Sequence, residues 1–211
     1  MSLFVSFVSF VKSLSVLVTA LLGLKSSKEK LKACRAKKLS KKLRKQYVQS
    51  HKAIASVYPI LQSVINKFQE VDRVSVFKSH NGNGIPQPGT PSFTTCLQEV
   101  TTHRTAPIIE RWQQIPSDQE MVEIIGELIE KNLCIVDVPE DPAGILSDYC
   151  VGSGIKGVLA VPIATLDSGF LFLNLCSTTT EDLSEIDGAL FEAASCAARI
   201  AKLYAPRRPK Y

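Results

Sequence analysis

The irregular loop Ser79–Ser92, SHNGNGIPQPGTPS, carries the densest group of polar side chains suited to binding a ligand. Its imidazole and amide groups supply hydrogen-bond donors and acceptors, and glycines allow the backbone to approach a ligand closely. We therefore predict a ligand lid formed by His80, Asn81, Gly82, Asn83 and Gly84. The alternative is that these polar side chains only satisfy a glycine-rich turn, since Asn-Gly pairs are typical of turns.

A second candidate group is Glu110-Arg111-Trp112. The guanidinium of Arg111 could bind an anionic ligand or pair with Glu110 or Glu99. Trp112 is the only tryptophan of the chain, and it could stack on a ligand or fill the edge of a core. We assign Arg111 and Trp112 to the predicted ligand-binding site.

No catalytic, metal or cofactor motif accompanies these groups. His80 has no nucleophile or acid at a fixed spacing, and no Ser/His/Asp order, phosphate loop or dinucleotide fingerprint occurs. The three histidines are not at ligand spacing to any of the six cysteines, which we expect to be reduced, buried thiols. The sequence therefore predicts a protein that is not an enzyme and that has no cofactor and no metal.

The charge of the chain is divided unevenly. Residues 25–45 contain eleven Lys and Arg against one acid, a net charge of +10, whereas residues 46–211 have a net charge of −6. The basic patch consists of Lys37, Lys38, Lys41, Lys42, Arg44 and Lys45. Three interpretations stay open: a positive-inside signal that leaves the following domain in the cytoplasm, attraction to anionic lipids, and nucleic-acid binding. We favour the first two, which are compatible; nucleic acid is the weakest, since no aromatic residue is interleaved and the rest of the chain is acidic.

Residues 1–24, MSLFVSFVSFVKSLSVLVTALLGL, precede this basic segment. A helix of this length rises roughly 36 Å, enough to span a bilayer core of about 30 Å. On a helical wheel, bulky Phe and Leu side chains occupy one half and small or hydroxyl-bearing residues the other, as in membrane helices that pack together. The predicted packing face is Ser2, Ser6, Ser9, Lys12, Ser13, Thr19 and Gly23. An interfacial helix lying among the headgroups is the alternative.

Hydrophobic periodicity indicates an α+β domain in the remaining chain. A helix is predicted over residues 48–69, with a kink or a new start at Pro59, and further helices over 108–113, 118–131, 144–151 and 183–204. Asp118 is expected to cap one helix, and Ser184 with Asp187 another. Strands are predicted over 72–78, 93–102, 133–138, 158–163 and 170–176, with alternate side chains of the first facing inward and outward. We expect an antiparallel sheet of about five to six strands flanked by helices.

Residues 154–176, GIKGVLAVPIATLDSGFLFLNLC, followed by a Ser-Glu-x-Asp helix rich in alanine, resemble the C-terminal half of GAF domains. The resemblance covers roughly residues 48–204. It implies a GAF/PAS-like sheet, a small-molecule pocket between the sheet and its helices, and self-association through the terminal helices. The loop HNGNGIP is similar to that of GAF-like proteins from phages and bacteria, which suggests a phage-encoded protein.

The order of a membrane helix, a helical stalk and a small α/β domain is also similar to the lysis holin of T-even phages. The domain of that holin faces the periplasm, whereas the basic segment here predicts a cytoplasmic domain.

Four regions follow: a membrane-spanning or interfacial helix over 1–24, a basic juxtamembrane helix over 25–47, a GAF-like domain over 48–204 and a disordered tail over 205–211. The leading expectation is a membrane-anchored, self-associating, non-enzymatic sensory or interaction domain with an unidentified small-molecule ligand or protein partner. The alternatives are a holin-like protein that forms membrane lesions, and a virion or nucleic-acid-associated protein that uses the basic segment.

Overall fold

The computed structural model describes residues 54–82, 84–87, 89–138 and 144–205, and, before them, Lys32, Arg35 and residues 37–41, 43, 44, 48, 51 and 52. The chain divides into two compact units, Met1–His51 and Lys52–Tyr211. Residues 1–24, with the whole predicted packing face, lie outside the described residues, as do residues 206–211 of the predicted tail.

In the first unit, the described residues are helical and exposed to solvent. They include four members of the basic patch, Lys37, Lys38, Lys41 and Arg44; Lys42 and Lys45 lie outside the described residues. Within the part of the chain that the structure describes, no helix combines the length and apolarity needed to cross a bilayer.

The second unit is built on a six-stranded sheet with the spatial order β3-β2-β1-β6-β5-β4. Its strands are β1 (Arg73–His80), β2 (Phe93–Thr101), β3 (Ile115–Pro116), β4 (Cys134–Asp137), β5 (Gly157–Leu166) and β6 (Gly169–Ser177). Every neighbouring pair is antiparallel, so the predicted sheet type and strand number are confirmed. The apolar hairpin β5–β6 contributes one of the two central strands, and β1 contributes the other.

Helices cover the sheet on both faces. Helix α1 spans residues 54–67 and runs through Pro59 without a new start. Further along the chain follow α2 (Gln119–Lys131), α3 (Ile145–Gly152), a 3₁₀ turn (Leu183–Glu185) and α4 (Ala189–Tyr204). Helices α1 and α4 pack on one face with Val74, Val76 and the leucines of β6. Helices α2 and α3 pack on the other face with Phe77, Phe172 and Trp112, which we call the cavity face.

The side chains of the first strand alternate between the two faces of the sheet as predicted, but neither face is outward because helices cover both. Seven of the eight residues of β1 are buried, and all nine of β6 are buried. A strand between two helical layers has no solvent face, so the side chains of β1 alternate between two cores. Ser75, which was predicted to share a face with Phe77, is fully buried on the cavity face.

Two of the predicted helices differ from those in the structure. Residues 108–113 form only a single turn, in which Arg111 N–H donates to Ile108 O at 2.8 Å. The predicted helix 183–204 is interrupted at Gly188, whose φ of 75° is left-handed and starts α4 afresh. The predicted Ser184–Asp187 cap is replaced by Asp182, whose carboxylate accepts from Ser184 N–H at 2.8 Å. Asp118 caps α2 as predicted, by accepting from Met121 N–H at 3.0 Å.

Asp72 connects three segments just before β1. Its carboxylate, fully buried, accepts from the Thr178 amide at 2.7 Å, the Thr178 hydroxyl at 2.6 Å and the Thr102 hydroxyl at 3.0 Å, and it pairs with Arg104. Burial acts to raise the pKa of Asp72, but the hydrogen bonds from Thr178, Thr102 and Arg104 outweigh it and hold this pKa below its usual value. These contacts fix the position of the chain where it enters β1, the strand that carries Arg73 and Ser75.

Candidate functional site

A small cavity lies between the cavity face of the sheet and the helices α2 and α3. Its volume is about 10 Å³, room for no more than one water molecule. Six of its lining residues come from strands, three come from α2 and α3, and Trp112 comes from the turn after β2. The lining residues are Phe77, Trp112, Met121, Ile124, Val136, Leu146, Val158, Ala160, Phe172 and Asn174. A larger molecule can enter only when aromatic or helical side chains move aside.

Trp112 is held in this wall by the turn that follows β2. The Glu99 carboxylate accepts from Ile108 N–H at 2.9 Å and from Ile109 N–H at 2.8 Å, which fixes the turn. Trp112 then meets Phe77 edge-on, with ring centroids 5.5 Å apart, and Tyr149 of α3 at 5.7 Å. The only tryptophan of the chain therefore closes the cavity between a strand and α3.

Three buried polar residues form a strip across β1 and β6 at the edge of this cavity. Ser75 of β1 is paired directly with Asn174 of β6, and Arg73 lies two residues before Ser75 on the same face. Asn174 also lines the cavity, so it belongs to both features. We call Arg73, Ser75 and Asn174 the polar strip.

Several polar atoms of the strip have no hydrogen-bond partner. They are Nε and Nη1 of Arg73, Oγ of Ser75 and Oδ1 of Asn174. The three residues are 1%, 0% and 6% exposed, so bulk water does not reach them. Buried polar atoms are nearly always paired with protein, an ordered water or a ligand. The unpaired atoms of the strip therefore mark a place where a polar group from outside the chain fits.

The charge of Arg73 is balanced inside the protein. Its Nε lies 3.9 Å from Oε2 of Glu99, and its Nη2 donates to Ala106 O at 3.0 Å and to the Thr105 hydroxyl. The Tyr149 ring lies 5.4 Å from the guanidinium carbon. Both charged side chains of this pair are more than nine-tenths buried. The polar strip thus has unused hydrogen-bonding groups, and the charge of its Arg73 is neutralised by Glu99.

Helix α3 is attached to α2 through its first N–H groups, which have no partner within their own helix. Asp118 accepts from Ile145 N–H at 2.7 Å, and Glu120 accepts from Leu146 N–H at 2.9 Å. A Cβ on Gly144 would lie 2.5 Å from Oε2 and 2.7 Å from Cβ of Glu120, so a larger residue would force Glu120 to move. These carboxylates hold Leu146 of α3 over the cavity.

The structure places the predicted lid residues in a turn. Nδ1 of His80 accepts from Gly82 N–H at 3.0 Å, Nε2 lies 2.9 Å from the Thr95 hydroxyl, and Oδ1 of Asn81 accepts from Gly84 N–H at 2.8 Å. Burial is the main cause that lowers the pKa of His80, and the charge of Lys78 adds to it. With Nδ1 accepting, the ring is neutral and donates from Nε2.

His80 is not brought to the cavity. Alternation along β1 puts its side chain on the face of Val74 and Val76, opposite the face of Phe77. Asn83 lies outside the described residues. Of the second predicted group, Trp112 lines the cavity, whereas the Arg111 side chain is exposed.

The thiols of the cavity face are unreactive. Burial raises the pKa of Cys96 to about 12 and that of Cys176 to about 11, and it raises the pKa of Cys150 as well. The thiolate is the nucleophilic form, so these groups are protonated and inert near neutral pH. The five cysteines of the described residues are free and buried, as predicted; Cys34 lies outside them.

Sequence reasoning missed the polar strip. One signal was present, since Asn174 interrupts the otherwise apolar run FLFLNLC of a strand that is buried along its whole length. Arg73 and Ser75 carried no comparable signal, because charged and hydroxyl residues at the start of a strand are ordinarily solvent-facing.

No family model matches the chain, and no curated protein matches its sequence. Solved structures do. A far-red cyanobacteriochrome photoreceptor is 18% identical with a TM-score of 0.52 and covers 81% of this chain and 95% of its own. A GAF domain/HD domain protein from Geobacter sulfurreducens is 9% identical with a TM-score of 0.51, covering 72% of this chain and 90% of its own.

A type II free methionine-R-sulfoxide reductase from Thermoplasma acidophilum is 15% identical with a TM-score of 0.50, covering 74% of this chain and 93% of its own. At these identities the likeness concerns the backbone alone. With the sheet order and the two helical layers described above, it shows that the second unit of this chain has a GAF-like fold.

Proposed function

We propose that this chain is a membrane-anchored, non-enzymatic sensory module whose GAF-like domain binds a small molecule between the sheet and helices α2 and α3. One observation carries the proposal: a cavity closed by Trp112 adjoins the polar strip, where four buried polar atoms have no hydrogen-bond partner. An apolar pocket with a few convergent polar groups is the usual form of a small-molecule site. The photoreceptor and the reductase named above share this fold.

Ligand binding is tested with the full chain in lipid nanodiscs and a small-molecule extract of the host cell, freed of macromolecules. A ligand that binds only the folded state raises the melting temperature, by an amount that grows with its concentration. We expect such a rise, together with a change in Trp112 fluorescence. Phe191→Ser, on the exposed start of α4, is the control that keeps both responses. A melting temperature unmoved by every extract fraction would refute the sensory role.

The membrane anchor is proposed from residues 1–24 and the basic patch, with the GAF-like domain on the cytoplasmic side. In the described part of that patch, Lys37, Lys38, Lys41 and Arg44 are exposed and can meet anionic lipid, worth about 1 kcal/mol per cation near a membrane surface. A fluorescent fusion should label membranes uniformly and become soluble when residues 1–24 are deleted. Timed lysis of the host would instead support the holin-like alternative, and a full-length protein that purifies without detergent would reject both.

Self-association is proposed through the N-terminal helices. Ile54 and Tyr58 of α1 are 44% and 50% exposed and lie four residues apart, on one side of the helix. A second copy of the chain would cover them. Light scattering of the nanodisc-free domain, residues 48–205, should show a dimer that Ile54→Glu with Tyr58→Glu converts to a monomer. Val122→Glu, at an exposed apolar position of α2, is the matched control; a monomer before any substitution would contradict the proposal.

The lid role of His80 and its loop, and a phage origin, stay predictions. If substitution of His80 and Asn81 leaves every ligand-induced shift unchanged, the loop is a turn and no lid.

A further inference from the structure

We infer that the ligand of this cavity is an uncharged molecule in which a hydrogen-bond acceptor stands beside a donor, as in an amide or lactam, attached to a flat apolar body. This inference rests on the proposed ligand-binding role of the cavity and specifies the chemistry that the polar strip recognises. It follows from three features: the charge balance at Arg73, the unpaired atoms of the strip, and the shape of the cavity wall.

The charge balance excludes an anion. Arg73 alone would attract a carboxylate, but its Nε already faces Oε2 of Glu99 at 3.9 Å, and both side chains are buried. Backbone hydrogen bonds from Ile108 and Ile109 hold the Glu99 carboxylate in place beside Arg73. A carboxylate ligand would leave one uncompensated negative charge in the interior, and buried charges are tolerated only when they are paired. A neutral polar group avoids this penalty.

A ligand needs both a hydrogen-bond acceptor and a hydrogen-bond donor to pair with the unpaired atoms of the polar strip. Ser75 offers a hydroxyl donor, whereas Oδ1 of Asn174 can only accept. Ser75 and Asn174 are directly opposed in the register of β1 and β6, so their Cβ atoms lie about 4.5–5.5 Å apart. Their oxygens nevertheless make no bond to each other. An amide that places its C=O toward Ser75 and its N–H toward Asn174 would satisfy both.

The cavity wall selects a flat apolar body. Phe77 and Phe172 stack on each other with centroids 5.4 Å apart and an interplanar angle of 14°, and Trp112 meets Phe77 edge-on. Aromatic rings prefer stacked or edge-on neighbours, so a flat ring suits a wall built from these side chains. Because the cavity holds only about 10 Å³, the ligand enters as Trp112 or the α3 side chain Leu146 moves outward. Binding should therefore change the surroundings of Trp112.

Three probes of similar size test the inference: benzamide, which has both groups; benzoate, which is anionic; and N,N-dimethylbenzamide, which keeps the acceptor and lacks the N–H donor. They are titrated into the full chain in nanodiscs, with fluorescence of Trp112, the only tryptophan, and the melting temperature as readouts. We expect benzamide to bind about tenfold or more tightly than either analogue, since a site built to hydrogen-bond a polar group rejects a molecule that lacks it.

Variants locate the recognition. Asn174→Leu should weaken benzamide about tenfold and remove its advantage over the dimethyl analogue, because the acceptor is gone. Ser75→Ala should weaken benzamide too, and it guards against a folding defect in the first variant. Ser79→Ala is the matched control. Ser79 lies on the same strand and face as Ser75, and its Oγ is also buried without a hydrogen-bond partner. In the strand register, however, Ser79 lies opposite Phe170 and not opposite Asn174. Ser79→Ala should leave benzamide affinity unchanged.

The outcomes separate this inference from the proposed function. Benzoate binding as tightly as benzamide, or a Ser79→Ala effect equal to that of Ser75→Ala, overturns the inference. A host extract that raises the melting temperature while benzamide does not also overturns it, although the sensory role then stands. If neither extract nor probe has any effect, both fail.

Discussion

The most direct test of the polar strip is the stability of Asn174→Leu without any ligand. The Asn174 side chain is 6% exposed, and its Oδ1 has no partner in the chain. Leaving a buried acceptor unpaired costs about 1–3 kcal/mol relative to an apolar group of the same shape. Leucine has the same branching and the same number of side-chain heavy atoms. The substitution should therefore increase the free energy of unfolding by about 1–3 kcal/mol.

The expected change is large enough to measure. For a domain of this size, 1 kcal/mol moves the melting temperature by about 2–4 °C, so Asn174→Leu should melt about 2–12 °C higher. Calorimetry and guanidinium unfolding followed by far-ultraviolet circular dichroism give two independent values. The methyl groups of leucine are somewhat bulkier than the amide, and overpacking would reduce the gain. The adjoining cavity of about 10 Å³ gives them some space.

A surface substitution of the same kind is the control. Asn66 of α1 is exposed, and Asn66→Leu should change the free energy of unfolding by no more than about 0.5 kcal/mol. If Asn174→Leu lowers both the melting temperature and the midpoint of unfolding by more than this control, Oδ1 is paired in solution by a protein donor or a retained water. The reasoning from an unmet acceptor would then be refuted. A gain in stability combined with a loss of benzamide binding would show that this position serves binding at the expense of stability.

Three further predictions concern residues that hold the site in place. The pKa of His80 is lowered in the folded state, so the contribution of His80 to stability is present above the unfolded pKa of about 6.5 and decreases as pH falls below it. His80→Gln should therefore flatten the dependence of the melting temperature on pH between about 5 and 7. An unchanged slope would contradict the lowered pKa of His80. Gly144→Ala should displace α3 from Glu120 and lower the free energy of unfolding by about 1–3 kcal/mol in urea titrations, whereas Gly126→Ala, where a Cβ meets no atom within 4 Å, should not be destabilising. Asp72→Asn should cost about 1.5–3 kcal/mol because the buried donors of Thr178 then face a neutral amide. A loss below about 1 kcal/mol would show that Asp72 does not tie these segments together.

Much of the fold could be predicted from local patterns. The apolar hairpin of β5 and β6, the strands β1, β2 and β4, and the Asp118 cap of α2 all lie close to their predicted positions. Errors occurred where a short segment depended on distant partners. Residues 108–113 form a single turn, since Glu99 captures the Ile108 and Ile109 amides and the chain continues into β3.

The candidate site was predicted less well than the fold. Trp112 was assigned to a ligand site and does line the cavity, but its predicted companions do not meet it there: Arg111 is exposed and His80 lies on the opposite face of the sheet. The HNGNG loop was predicted to bind the ligand because its polar residues are adjacent in the sequence. The polar strip shows no such clustering, because its three members come from two strands that are far apart in the chain.

The sequence by itself determined the α+β class, the strand-rich C-terminal half and the separation of a basic segment from an acidic domain, because these depend on composition and on periodicities of a few residues. Only the tertiary structure decided which polar residues meet. The antiparallel pairing of β1 with β6 brings Ser75 opposite Asn174, and a helical layer on each face removes them from water. Register and burial are set by long-range packing, so no local pattern around Ser75 could disclose that its hydroxyl would be left unpaired beside a cavity.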